Sequence, residues 1–160
     1  MESTHQSVFG FLNQINERNM QNKEVVTTEW LGNMAFEGDV RGHKIIIDAH
    51  TSVGGEERGA PPKPLMLLAL GGCTAMDVIS ILKKMRVDVE KFNVRVEGDL
   101  TEEHPKHFYK IHVIYEFTGK DLPIDKLQKA INLSEERYCG VSAVYKKVIE
   151  MSSEIKIIDS

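Results

Sequence analysis

From Leu65 to Arg86 the chain carries one long helical pattern, and nothing else in the sequence constrains the fold as strongly. The first half of this segment is apolar nearly all round. Such a helix has no face to give to water, so it belongs in the centre of a structure, covered by other elements. Further on the apolar stripe narrows. Val78, Ile81, Leu82 and Met85 recur at i, i+3, i+4, i+7 and share one face. Lys83, Lys84 and Arg86 fall in the last turn, where cations complement the helix dipole. Gly71-Gly72 runs against this pattern, because each glycine costs a helix about 1 kcal/mol relative to alanine. The pair marks a place where another helix or a ligand comes close to the backbone.

The segments around this helix alternate in character. Val8, Phe11, Leu12 and Ile15 have helical spacing, which gives a helical N-terminal extension over residues 1–22. The main domain is then expected over residues 23–160. Val25 to Trp30, Met34 to Glu37 and Lys44 to Asp48 read as a β-meander, with turns at Gly32-Asn33 and Arg41-Gly42. Thr51 to Pro64 is dense in glycine and proline and reads as an irregular loop. Beyond the central helix, Phe92 to Leu100 alternates Phe92, Val94 and Val96 with Asn93, Arg95 and Glu97, and Phe108 to Phe117 is a second strand. A helix opens at Asp121-Leu122-Pro123, with Asp121 placed to cap it, and ends near Arg137. A short helix from about Gly140 to Val148 and a last strand from Glu154 to Ile158 complete the order α-βββ-α-ββ-αα-β. That order lacks the strict alternation of a doubly wound fold, so the class is α+β.

The chain has 160 residues, a length that suits one domain, and a net charge of −4. Its Lys and Arg residues are scattered in pairs among acids, so no basic surface for nucleic acid is expected. The apolar run Leu65 to Leu70 is soon followed by Asp77, and no membrane span or secretory signal is expected. With two cysteines and no such signal, a reducing cytoplasm is the expected compartment.

Chemistry has few places to reside. Cys73 follows the two glycines inside the apolar helix, and Cys139 lies between Tyr138 and Gly140. Each reads in two ways. Free cysteine is commonly a small buried hydrophobe. A reactive thiol needs a nearby cation or a helix N-terminus. Cys139 stands where a helix begins, with Arg137 two residues away, so its thiolate is expected to be favoured. No CxxC is present, and no Cys/His cluster has zinc-ligand spacing, so neither a metal nor an organic cofactor is expected. Asp77 reads as a partnered polar group rather than an acid catalyst.

Pro62 to Val78, with Leu70-Gly71-Gly72-Cys73-Thr74-Ala75-Met76-Asp77 at its heart, resembles the central-helix segment of the OsmC/Ohr family. Tyr138-Cys139-Gly140-Val141-Ser142 resembles that family's second cysteine motif. The resemblance covers nearly the whole chain beyond the first twenty or so residues. It implies antiparallel sheets wrapped around central helices in an intertwined homodimer, with the sites at the dimer interface. It also implies a thiol peroxidase. Cys73 would take the role of the cysteine that a hydroperoxide oxidises to a sulfenic acid, Cys139 would condense with it to a disulfide, and an external dithiol would reset the pair. Peroxidase members also use an Arg from the first hairpin and a Glu at the start of the central helix. Leu31 to Met34 and Pro62 to Met66 contain neither, and Arg41, Glu57 and Arg58 stand nearby without a motif to assign them. The competing expectation is the same fold with inert cysteines, binding a small apolar ligand between subunits. Peroxidase chemistry requires the two sulfurs to approach each other; the binding module does not.

Overall fold

The computed structural model describes residues 23–158, and the helix expected between Val8 and Met20 lies outside them. The described residues form two compact units, divided between Pro61 and Pro62.

In the first unit, β1 (Val26–Trp30), β2 (Phe36–Val40) and β3 (His43–Ile47) form an antiparallel three-stranded sheet in that order. The β2–β3 hairpin closes on Arg41 and Gly42, both at positive φ (53° and 83°). Two successive left-handed residues match the right-handed twist of the strands they join. β2 starts at Phe36, later than the expected Met34, because Gly32 and Asn33 are also left-handed and carry the turn on to Ala35.

The glycine- and proline-rich stretch that follows is organised around Asp48. This side chain is shut away from solvent, and its carboxylate accepts the backbone N–H of Ala49 at 2.7 Å and those of Glu56 and Arg58 at 3.1 Å each. Gly59 is required here, since a β-carbon on it would lie 2.1 Å from the Ile46 carbonyl oxygen. The Arg58 N–H, with those of Ala49 and Glu56, holds the Asp48 carboxyl below the usual range, against the opposing effect of burial. A depressed carboxyl contributes stability above its unfolded pKa and loses it as pH falls through the folded value. Loop protection is therefore expected to be flat from neutrality to about pH 4 and to fall below that. Hydrogen-exchange protection factors at the Glu56 and Arg58 amides measure this. Asp48→Asn should lower them at neutral pH and remove the acid dependence; unchanged protection would refute the clamp.

The second unit opens with α1 (Pro62–Lys84). It starts before the expected Leu65 because Pro62 and Pro64 fall in the first turn, where the missing N–H groups have no intrahelical partner anyway. α1 has 23 residues, and an 18-residue stretch of it reaches a mean hydropathy of 2.0, a length and composition that could cross a membrane and that a core helix shares. The apolar run does not stop at Leu70, since Gly71 to Met76 carries no charge. Here Leu70, Gly71, Thr74, Val78, Ile81 and Leu82 are buried.

α1 lies against the sheet β4 (Lys91–Leu100), β5 (Phe108–Thr118) and β6 (Glu150–Ile158), with β5 in the middle. The close approach marked by the glycine pair is to a strand: a β-carbon on Gly71 would meet Val96 at 3.2 Å, while nothing lies within 4 Å of that position on Gly72. β4 and β5 are antiparallel, but β6 runs parallel to β5, so this sheet is mixed. The connection from β5 to β6 is long enough for a crossover: α2 (Ile124–Leu133), a π-turn (Ser134–Tyr138) and α3 (Gly140–Tyr145). β6 begins at Glu150, ahead of the expected Glu154. Its polar start is paired along β5, Glu150 with Lys110 at 3.6 Å and Ser152 with His112 at 2.8 Å. Asp121 does not cap α2, being itself left-handed (φ 50°), and Pro123 occupies the cap position.

The core of this unit gathers Leu70, Val78 and Leu82 of α1, Leu127 and Ile131 of α2, and Ile111, Val113, Tyr115 and Phe117 of β5. Phe92 stacks on Phe117 with ring centroids 4.6 Å apart. This packing fixes the face of α1 on which Cys73 lies.

Candidate functional site

Helical geometry places Cys73 and Asp77, four residues apart, on the same face of α1. Cys139 is the N-cap of α3, where its sulfur accepts the backbone N–H of Ser142 at 3.4 Å. The two sulfurs and a carboxylate oxygen of Asp77 all lie within 4.8 Å of one another. The fold brings together two cysteines that lie far apart in sequence. Cys73 is half-buried and Cys139 is buried. A small molecule arriving from solvent therefore meets Cys73 first.

The expectation of a favoured thiolate at Cys139 fails. Burial pushes its thiol up to about 11, and the adjacent Cys73 thiol adds to the shift, while the Ser142 and Val141 N–H groups oppose it. Desolvation outweighs the start of a six-residue helix. Arg137 is exposed on the π-turn. Alkylation of Cys139 in metal-free reduced protein should accordingly rise about tenfold per pH unit through pH 9 and 10 without levelling. Peptide-resolved mass spectrometry measures this, and a plateau below pH 9 would contradict the assignment.

Behind the sulfurs runs a buried polar chain that sequence reading missed. The Thr74 hydroxyl lies 2.7 Å from the Tyr115 hydroxyl and 2.9 Å from the Ser134 hydroxyl. Ser134 donates to Asp77 Oδ2 at 3.1 Å, and Tyr115 donates to Glu135 Oε1 at 3.3 Å. Lys146 Nζ closes the chain on Glu135 Oε2 at 3.2 Å. Asp77 is thus a partnered group, as its setting suggested. Three hydroxyl protons serve the four contacts between the Asp77 and Glu135 carboxylates, so one contact at a time lacks a proton of its own. Burial also raises the Tyr115 phenol well above its ordinary value. The i, i+4 spacing of Cys73 and Asp77 was the one signal available for this arrangement. Of the other charged groups noted in the sequence, Arg41 pairs with Glu24, and Glu57 pairs with His50 at 2.9 Å.

An α+β fold with a central apolar helix, a first cysteine on that helix and a second at the start of a later short helix defines a two-cysteine class of protein. The chain belongs to the OsmC-like protein family, whose model matches residues 54–154. It is 31% identical over 131 residues to Protein YhfA of Escherichia coli K12, covering 81% of this chain and 95% of that one. A hypothetical protein from Aquifex aeolicus superposes with a TM-score of 0.76 at 28% identity, over 87% of this chain and 98% of that one. The organic hydroperoxide resistance protein OsmC of Legionella pneumophila superposes with a TM-score of 0.65 at 15% identity, over 84% and 96% of the two chains. At that identity the likeness is one of fold.

Proposed function

We propose that this protein is a cysteine-dependent peroxidase that reduces organic hydroperoxides or hydrogen peroxide. One observation carries the reading: the Cys73 and Cys139 sulfurs approach within 4.8 Å, from elements far apart in sequence. The half-buried Cys73 sulfur attacks the peroxide oxygen, the O–O bond breaks, and an alcohol, or water from hydrogen peroxide, leaves with the thiol proton. The Cys73 sulfenic acid then condenses with the Cys139 thiol, which gives up its proton to the departing water as the S–S bond forms. An external dithiol returns both thiols. The fold-level likeness to a hydroperoxide resistance protein supports the same assignment. The protein works as a stress-response enzyme in the reducing cytoplasm, where such a pair is reset.

The working unit is a homodimer. Leu68 and Met76 are 69% and 72% exposed and, with Gly72 between them, form an apolar stripe along one side of α1. In the other unit Val26 and Trp30 of β1 are also largely exposed. Apolar patches of this kind favour a partner over water.

Reduced, metal-free protein mixed with one equivalent of cumene hydroperoxide should lose both thiols and gain an internal Cys73–Cys139 bridge, read by intact and peptide mass, in particles of dimer mass by light scattering. Thiols that survive excess peroxide for hours would refute the reading.

A second reading is favoured by an open apolar groove of about 510 Å³ between α1 and β4, lined by Leu67, Leu68, Gly71, Phe92 and Val96 among others. In it the fold holds a small apolar ligand and the cysteines are inert.

A further inference from the structure

We infer that Cys73, Asp77 and Cys139 together form a binding site for a divalent transition metal ion of the zinc type. This goes beyond the peroxidase reading and contradicts the expectation, drawn from ligand spacing in the sequence, that the chain binds no metal. Spacing rules detect ligands that are close in sequence, whereas this set joins two residues of α1 to one on α3.

The donor set identifies the metal class. Two thiolates exclude the hard cations magnesium and calcium, which take oxygen ligands. Two sulfurs with one carboxylate oxygen suit a borderline-soft ion such as Zn2+. The three ligand atoms lie within 4.8 Å of one another. Around a tetrahedral zinc, with bonds of about 2.0–2.3 Å, such atoms stand roughly 3.3–3.8 Å apart. Closing to that spacing asks for a shortening of about an ångström or less. Three protein ligands leave one position for water or another small molecule.

The outer groups fit the same assignment. A ligating carboxylate is commonly held by a hydrogen bond, and Ser134 Oγ donates to Asp77 Oδ2 at 3.1 Å. A metal-bound thiolate is commonly steadied by a backbone amide, and the Ser142 N–H points to Cys139 Sγ at 3.4 Å. Ser142 also carries, among the described residues, a buried side-chain hydroxyl with no partner. This donor sits on the residue whose backbone already bonds Cys139.

The metal and the disulfide exclude each other, since each needs both sulfurs. The site therefore belongs to the reduced protein.

The test uses the full chain, reduced and stripped with a chelator. Zinc chloride is titrated in competition with a chromophoric zinc indicator, and cobalt(II) is added to a parallel sample. One zinc per chain is expected, and cobalt should give intense near-ultraviolet sulfur-to-metal charge transfer with the visible bands of a tetrahedral ion. Asp77→Asn should weaken zinc by at least about tenfold, Ser134→Ala by roughly 10–100-fold, and Cys73→Ser should lower the sulfur-to-cobalt charge transfer per bound ion by about half. Circular dichroism checks that each variant is folded. Substoichiometric zinc, cobalt spectra without sulfur charge transfer, or wild-type affinity in a folded Asp77→Asn would overturn the inference. Stoichiometric zinc alongside peroxide-inert thiols would support this site while ending the peroxidase reading. A peroxide-formed bridge in a protein that takes up no zinc would do the reverse.

Discussion

Cys73→Ser is expected to abolish peroxide consumption, lowering its rate by roughly a hundredfold or more, because the remaining hydroxyl is a far weaker nucleophile than a thiol. Cys139→Ser should behave differently. Its Cys73 still meets the first equivalent of peroxide, but no neighbouring thiol traps the sulfenic acid. A second equivalent then carries Cys73 to the sulfinic acid, heavier by about 32 Da, and turnover stops. The two variants together assign the roles. The assignment follows from exposure, since Cys73 is half-buried while Cys139 is buried. It also follows from the burial that keeps Cys139 protonated up to about 11, which suits a thiol that must carry its own proton to the departing water. If Cys139→Ser loses the first, stoichiometric reaction while Cys73→Ser retains it, the order of attack is reversed.

Phe117→Ala should cost about 3–5 kcal/mol of stability, a cavity-forming loss at a site that cannot collapse. Phe117 is fully buried on the central strand β5 and stacks on Phe92. Against a typical total of about 5–15 kcal/mol, this removes a large share of the margin. For a chain of this size the melting temperature should fall by roughly 6–20 °C. Phe117→Leu keeps most of the volume and should lose less. Tyr109→Ala, on the same strand but exposed, should change stability by no more than about 0.5 kcal/mol. Denaturant unfolding followed by near-ultraviolet circular dichroism measures all three. Equal losses for Phe117→Ala and Tyr109→Ala would mean that the core is not where the packing puts it.

Local pattern made much of this legible. The apolar helix could be read because Leu65 to Met76 leaves no polar face, and the β4 alternation because Phe92, Val94 and Val96 repeat every second residue. The family could be read because two cysteine motifs stand in order. The boundaries that slipped did so where one residue type serves two purposes. Pro62 and Pro64 start a helix as readily as they break one, and the serines at the start of β6 look like a turn until His112 pairs with Ser152. The parallel pairing of β6 was hidden because strand direction depends on the path of the intervening helices. Asp77 shows the limit most clearly. Its spacing from Cys73 is plain in the sequence, but its partners Ser134 and Cys139 lie on the far side of two strands and a helix. The burial that raises Cys139 likewise depends on packing that no stretch of a few residues contains.

The crossover into the parallel strand also has a bearing on how the molecule is made. Cys139 sits in a connection between β5 and β6 that is held against α1 by the bonds of Ser134 to Thr74 and Asp77. Cys139 reaches Cys73 only once Ser134 has docked against Thr74 and Asp77. A growing polypeptide thus carries Cys73 with no neighbouring thiol until the residues around Cys139 have been made.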